Sequence, residues 1–182
     1  MSVLYVYHVS SPQQPGKVLT HAEDITSTLA EQGVTFGRWS AASSVLAGAS
    51  SQELISANRA ELDRIMTRGG FAELAVLSVN DKSPDKTSLR ASLLVEQQHR
   101  DDHLTLMGGG RGLMSVHIGD LIFGIVCEKN DWVGLPAGTP YWFDIGETPH
   151  VAVIRLFKQA GDLTSTPTGE TIAESCARLE DC

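Results

Sequence analysis

The chain has 182 residues, enough for one domain with a sizeable core. Hydrophobic residues make up 42% and charged residues 20%, and the net charge of −8 argues against nucleic acid or an anionic membrane surface as partner. No apolar run approaches the roughly 20 residues that span a bilayer, and the scattered Cys127, Cys176 and Cys182 fit a reducing cytoplasm better than a disulfide framework.

In chain order, "VLYVYHV" reads as an opening strand. It has no charged leader, so it does not read as a signal peptide. "THAEDITSTLAEQG" predicts a short amphipathic helix, with Thr20 and Glu23 as a capping box and Gly33 as the stop. "VTFGRW" follows as a strand and "AASSVLAGASS" as a small-residue linker. The clearest helix is "SQELISANRAELDRIMTRGG". Leu54, Ile55, Leu62, Ile65 and Met66 form its apolar stripe, and Gly69–Gly70 end it. "AELAVLSVN" is a strand, "DKSPDK" a turn, and "TSLRASLLVEQ" a short helix. From Gln97 onward, short β-type segments alternate with glycine turns, a spacing that suggests a sandwich or barrel. The "GGGRG" run reads as a strand-connecting turn, since no G-K-[ST] follows to make a phosphate loop. The polar tail carries a possible helix at "ETIAESCARLE". One α+β domain over 1–182 is expected, with helices mainly in 20–95 and a barrel core at about 96–157.

The stretch "EQQHRDDHLTL" carries the candidate chemistry. On one continuous strand, Gln97, His99, His103 and Thr105 have equal parity and face one side. Two imidazoles and an amide oxygen on one face can bind a transition metal. The other histidines have plainer readings: His117 as a structural strand residue, His150 in an exposed turn, and His8 and His21 far from the motif. Asp101 and Asp102 read as solvated, and Cys127, inside "LIFGIVC", as a core residue.

"NDWVGLPAGTPYWFDIG" resembles the second cupin motif, with Pro136, Gly138 and Tyr141 on its P-x-G-x-x-H positions, and "QQHRDDH" aligns with the first. The combination "CEKND…PAGTP-x-WFD-x-G…IRLF", with "LAEQGVTFGRW" and "TGETIAESCARL", resembles the acireductone dioxygenase family nearly end to end. That resemblance implies a jelly-roll-like, mainly antiparallel cupin β-barrel with a short C-terminal extension. It also implies one divalent transition metal, nickel or iron, held by His, His, Glu and a distal His. At those positions this sequence has Gln97, His99, His103 and Tyr141. In the substrate shell, Thr105 stands where the family has an arginine and Leu163 where it has a tryptophan, while the aromatic at Phe143 is retained.

Every altered ligand position can still offer a lone pair, which random decay to Ala, Ser or Leu does not favour. His99 and His103 are then the principal ligands and Gln97 the next. Tyr141 is a weak fourth ligand or a hydrogen-bond and proton donor. Neutral ligands leave the metal its full charge, which favours an anionic chelating substrate. These features imply a dioxygenase acting with O2 on a small molecule. The first expectation is a thiol amino acid such as cysteine, oxidised at sulfur. The alternative substrate is acireductone or another keto-enolate. A reading of a different class is a non-catalytic cupin that binds or regulates.

Overall fold

A computed structural model describes residues 1–43 and 45–182; the linker expected around 41–51 lies partly outside the described residues, at Ser44. In chain order the elements are β1 (Val3–His8), β2 (Lys17–Leu19), α1 (Ala22–Ala30), β3 (Thr35–Arg38), α2 (Ser51–Ala57), α3 (Arg59–Gly69), β4 (Glu73–Asn80) and α4 (Lys86–Leu93). Then come β5 (Gln97–Gln98), β6 (His103–Ile118), β7 (Leu121–Glu128), β8 (Asp131–Leu135), β9 (Tyr141–Asp144), β10 (His150–Phe157) and β11 (Thr166–Pro167). The α+β expectation holds, with the helices before residue 94 and most strands after it.

All strand pairings are antiparallel. One sheet runs β11-β5-β9-β6-β7-β1-β2, and β4-β10-β6-β8-β3 forms the other. The 16-residue β6 belongs to both. Between the sheets lies the main core, including Leu4, Met107, Met114, Val133, Tyr141, Phe143, Val151 and Val153. A second core packs Leu54 and Leu62 of α2 and α3 onto Leu106, Ile154 and Leu156, on the outer face of the second sheet. A third packs Ala173 and Cys176 of the C-terminal extension onto Tyr7, Ile122 and Trp142.

The glycine run is not a turn between strands. It lies within β6, where the register against β10 shifts between Ala152 and Val153. Here β6 passes from one sheet to the other. Gly110 has φ +73°, and a Cβ there would meet the His150 carbonyl oxygen at 1.6 Å, so only glycine fits.

Three helix expectations are corrected. The cap of α1 is His21, with no side-chain cap bond, so Thr20 sits one residue too early. A capping box instead opens α2, where Ser50 and Glu53 satisfy each other's backbone N–H groups. The long helix breaks at Asn58 (φ −111°, ψ 11°). Asn58 Nδ2 donates to Leu54 O (2.8 Å) and its Oδ1 accepts from Ala42 N (2.7 Å), tying the break to the linker. The tail forms two 3-10 turns, Ile172–Ser175 and Leu179–Asp181, instead of an α-helix. Cys127, Cys176 and Cys182 are all free. Among the described residues, no helix is long and apolar enough to cross a membrane.

Candidate active site

His99 and His103 meet inside the first core, but not by strand parity. The chain leaves β5 after Gln98, turns through 99–102 and re-enters the sheet at His103. The turn is pinned on both sides: Gly138 N donates to His99 O (2.9 Å) and Ala137 N to Asp102 Oδ1 (2.8 Å). Asp102 is therefore exposed but engaged. His103 opens β6 between Leu135 of β8 and Phe157 of β10.

The ring centroids of His99 and His103 are 4.5 Å apart, and Tyr141 on β9 is 5.7 Å and 5.2 Å from them. Phe157 closes one wall, 5.0 Å from His99 and stacked on His103 at 5.9 Å. All three polar rings are about 2% exposed. His99 Nδ1 faces the backbone carbonyl of Asp162 at 2.7 Å, and a carbonyl only accepts. Nδ1 therefore carries the proton, and Nε2 presents its lone pair to the Tyr141 hydroxyl, which donates across 2.7 Å. Burial lowers the pKa of His99 despite the Asp162 contact, and the charge of Arg155 lowers it further. Burial, then His99 and Arg155, push His103 down to about 3. Burial raises the Tyr141 pKa, so its phenol keeps its proton. At neutral pH the cluster is two neutral imidazoles and one phenol.

Both ring nitrogens of His103 are buried without a hydrogen-bond partner. Orphaned imidazole nitrogens in a core cost about 1–3 kcal/mol unless something satisfies them. A transition metal fits this requirement. His103 offers a free lone pair, and His99 has the carbonyl-anchored Nδ1–H that usually orients a ligating imidazole. Among the described residues no three His, Cys, Asp or Glu side chains converge at metal-holding spacing; the polar side chains that meet here, His99, His103 and Tyr141, include no carboxylate.

The remaining expected residues are placed differently. Gln97 pairs in register with Tyr141, yet Ser165 Oγ donates to its amide oxygen and its Nε2 donates to Val95 O (3.2 Å). Thr105, 4% exposed, lies one β6 alternation beyond His103 and directly opposite Arg155 of β10. Phe143 shares a face of β9 with Tyr141 and lies over Gly112, where a Cβ would come within 2.4 Å of its ring. Leu163 is 37% exposed on a 3-10 turn and does not join the cluster.

Its neighbour Asp162 does the positioning instead. Asp162 is fully buried, with its carboxylate 3.7 Å from Arg100 and its carbonyl on His99. Arg155 was also missed by sequence reasoning. Its signal was a lone charge in the apolar strand "HVAVIRLF", at the parity of Val151, Val153 and Phe157. His117 has a structural partner, with Nδ1 2.8 Å from the buried Glu96, which also accepts from Thr168 Oγ1 (2.6 Å).

A family model described as "ARD/ARD' family" matches residues 4–165. The acireductone dioxygenase of Pseudomonas syringae pv. syringae (strain B728a) is 50% identical over 181 residues, covering 100% of both chains. That of Pseudomonas aeruginosa (strain UCBPP-PA14) is 45% identical over the same length, again covering both chains in full. The chain belongs to the acireductone dioxygenase family. Its fold is that of the family too: acireductone dioxygenase from Bacillus anthracis, with a cadmium ion in its active center, superposes with a TM-score of 0.77. That match covers 91% of this chain and 98% of the other at 18% identity. In this acireductone dioxygenase family member, the buried polar cluster sits between the two sheets, on β6, β9 and the turn before β6.

Proposed function

We propose that the protein is a metal-dependent dioxygenase whose centre is built on His99 and His103. The observation that carries this reading is the pair of orphaned ring nitrogens on buried His103, beside a His99 whose Nδ1 is fixed by a backbone carbonyl. The principal ligands are one His103 nitrogen and His99 Nε2, the latter once the Tyr141 hydroxyl turns away from it. Gln97 joins them only if its amide leaves Ser165. Nickel or iron, when bound, supplies a Lewis acid with open positions for substrate and O2. Tyr141 holds a proton on its phenol oxygen, 2.7 Å from His99, and can donate it to the reacting oxygen or to substrate. Phe157 and Phe143 help keep water from the lumen.

The full-length identity to acireductone dioxygenases favours acireductone, a keto-enolate, as the substrate. A second reading, a thiol amino acid such as cysteine, is favoured by the donor set. Gln97, His99, His103 and Tyr141 include no carboxylate, so a metal there keeps its full charge for a chelating thiolate, and coordination lowers the thiol pKa. In the same direction, Thr105 and Leu163 stand at positions where the family resemblance implies arginine and tryptophan.

Metal content tests the centre. Purified without added metal, the protein is expected to hold about one transition metal per chain, because a site of three or four ligands is completed by a single ion. His99→Ala and His103→Ala should each lose most of it. Full retention in the double variant contradicts the assignment.

A further inference from the structure

The outer face of the second sheet is covered only in part. Helix α3 packs onto it through Leu62 and Ile65. A cavity of about 580 Å³ remains between the 61–68 face of that helix and strands β3, β6 and β8. Alternation along β6 turns Leu104 and Leu106 outward to this cavity, while the His103 ring stacks on Phe157 in the core. The cavity therefore lies behind the imidazole pair, on the opposite side of the sheet. Its floor is a flat aromatic surface. Trp132 of β8 stands opposite Gly37 of β3, and a Cβ on Gly37 would come within 2.6 Å of the indole, so the ring lies across the bare strand. The indole N–H is tied down, donating to Arg38 O (3.2 Å), yet the side chain stays half-buried. Trp39, Phe71 and Leu106 add to the apolar lining.

The rim of this cavity is basic, in a chain whose net charge is −8. Arg38, Arg64, Arg68 and Lys158 line it, against only Glu61 and Asp102. Both acids are already engaged, Glu61 by Arg64 (2.6 Å) and Asp102 by Ala137 N (2.8 Å). Arg38 is taken by the buried Asp131 (2.7 Å). Among the described residues Arg68 and Lys158 enter no ion pair. Lys158 Nζ instead lies 4.4 Å from the Phe71 ring centre, which holds one cation at the edge of the aromatic lining. The volume suits a single small molecule. We propose that the cavity binds a small molecule with a flat apolar body and one anionic end, the body against Trp132 and the anion at Arg68 and Lys158. Burial against the indole supplies the affinity, and two cations without an opposing acid select the sign of the head group. This site is separate from the proposed metal centre and stands or falls independently of it.

The test titrates the full-length protein, with zinc supplied, with 2-naphthoate and with 2-naphthamide, which has the same flat body and no charge. Calorimetry gives the affinities. The indole signals of ¹⁵N-labelled Trp39, Trp132 and Trp142 give the place, since Trp142 is buried in the third core, away from the cavity. An exposed ion pair is worth up to about fivefold in affinity. Wild type is therefore expected to prefer 2-naphthoate by about that factor or more, and the Trp132 signal to move while that of Trp142 stays. Arg68→Glu, at an exposed position, should cancel the preference and leave 2-naphthamide binding and the melting temperature unchanged. Trp132→Leu should weaken both ligands; if it does not fold, Arg68→Glu and the indole signals decide. No binding of 2-naphthoate at millimolar concentration overturns the proposal, and so does equal affinity for the two ligands. A preference that survives Arg68→Glu, or a Trp132 signal that stays still, puts the anion elsewhere, the metal centre included, and overturns it as well.

Discussion

Tyr141 and His99 share one hydrogen bond whose direction is dictated from behind. Asp162 O requires a proton on His99 Nδ1, so Nε2 accepts and the phenol donates. Removing the phenol oxygen deletes one buried hydrogen bond, worth about 1 kcal/mol. Tyr141→Phe is therefore expected to fold, to melt close to wild type and to keep its metal. Because it lacks the proton donor, its rate or product distribution should change. An unchanged rate and product, measured on the metal-loaded variant, removes the phenol from the chemistry. At this scale the sequence was partly legible. His99, His103 and Tyr141 were identifiable from spacing and family pattern, and the structure brings them together. Asp162 acts through its backbone carbonyl, which no side-chain motif announces. Leu163, one residue on, stands instead at the surface.

The elements owe their placement to a few tied positions. Strand β6 serves two sheets because Gly110 can adopt φ +73° and lies against the His150 carbonyl. Gly110→Ala forces both a left-handed alanine and a backbone clash, so a loss of at least about 2 kcal/mol is expected by denaturant unfolding. A melting curve equal to wild type contradicts this account of the bend. The run "GGGRG" looked like a turn because glycines usually mark one; a bulged strand uses them for the same backbone freedom. Similarly, the apolar stripe of 54–66 is continuous across α2 and α3, but periodicity does not reveal Asn58's bonds to Ala42 and Leu54.

Strand β9 is held to α4 and the C-terminal extension at Asp144. Its carboxylate accepts from Arg90 Nε (2.7 Å), Arg90 Nη2 (2.9 Å), Gly146 N (3.0 Å) and Leu179 N (3.0 Å). Burial alone would raise the Asp144 pKa, but these donors together hold it below the usual carboxylate value. The folded pKa is depressed, so the contribution is full above the unfolded value of about 3.9 and is lost as pH falls through the folded one. Asp144→Asn is expected to cost about 3 kcal/mol at pH 7, as for one broken partner of a buried pair. The gap to wild type should narrow only below about pH 4. A gap that closes between pH 7 and 5 contradicts the pairing.

For the whole molecule, short β-type segments alternating with glycine turns, together with the family pattern, identify the two-sheet fold and place the candidate chemistry in its β half, where His99, His103 and Tyr141 meet. What one chain's residue types do not carry is how Gln97 and Arg155 are partnered. Gln97 is engaged by Ser165, 68 residues away in sequence, and the Nε of Arg155 has no partner, which only the folded arrangement reveals. Everything proposed for this pocket turns on a metal and O2. Its most direct test is incubation of the metal-loaded protein under ¹⁸O₂ with acireductone and, separately, with cysteine, followed by mass spectrometry of the products. Oxygen uptake with label in the products of at least one substrate is expected, and loss of both in His103→Ala. Absence of uptake and label with both, in protein that holds its metal, contradicts it and leaves a non-catalytic binding protein.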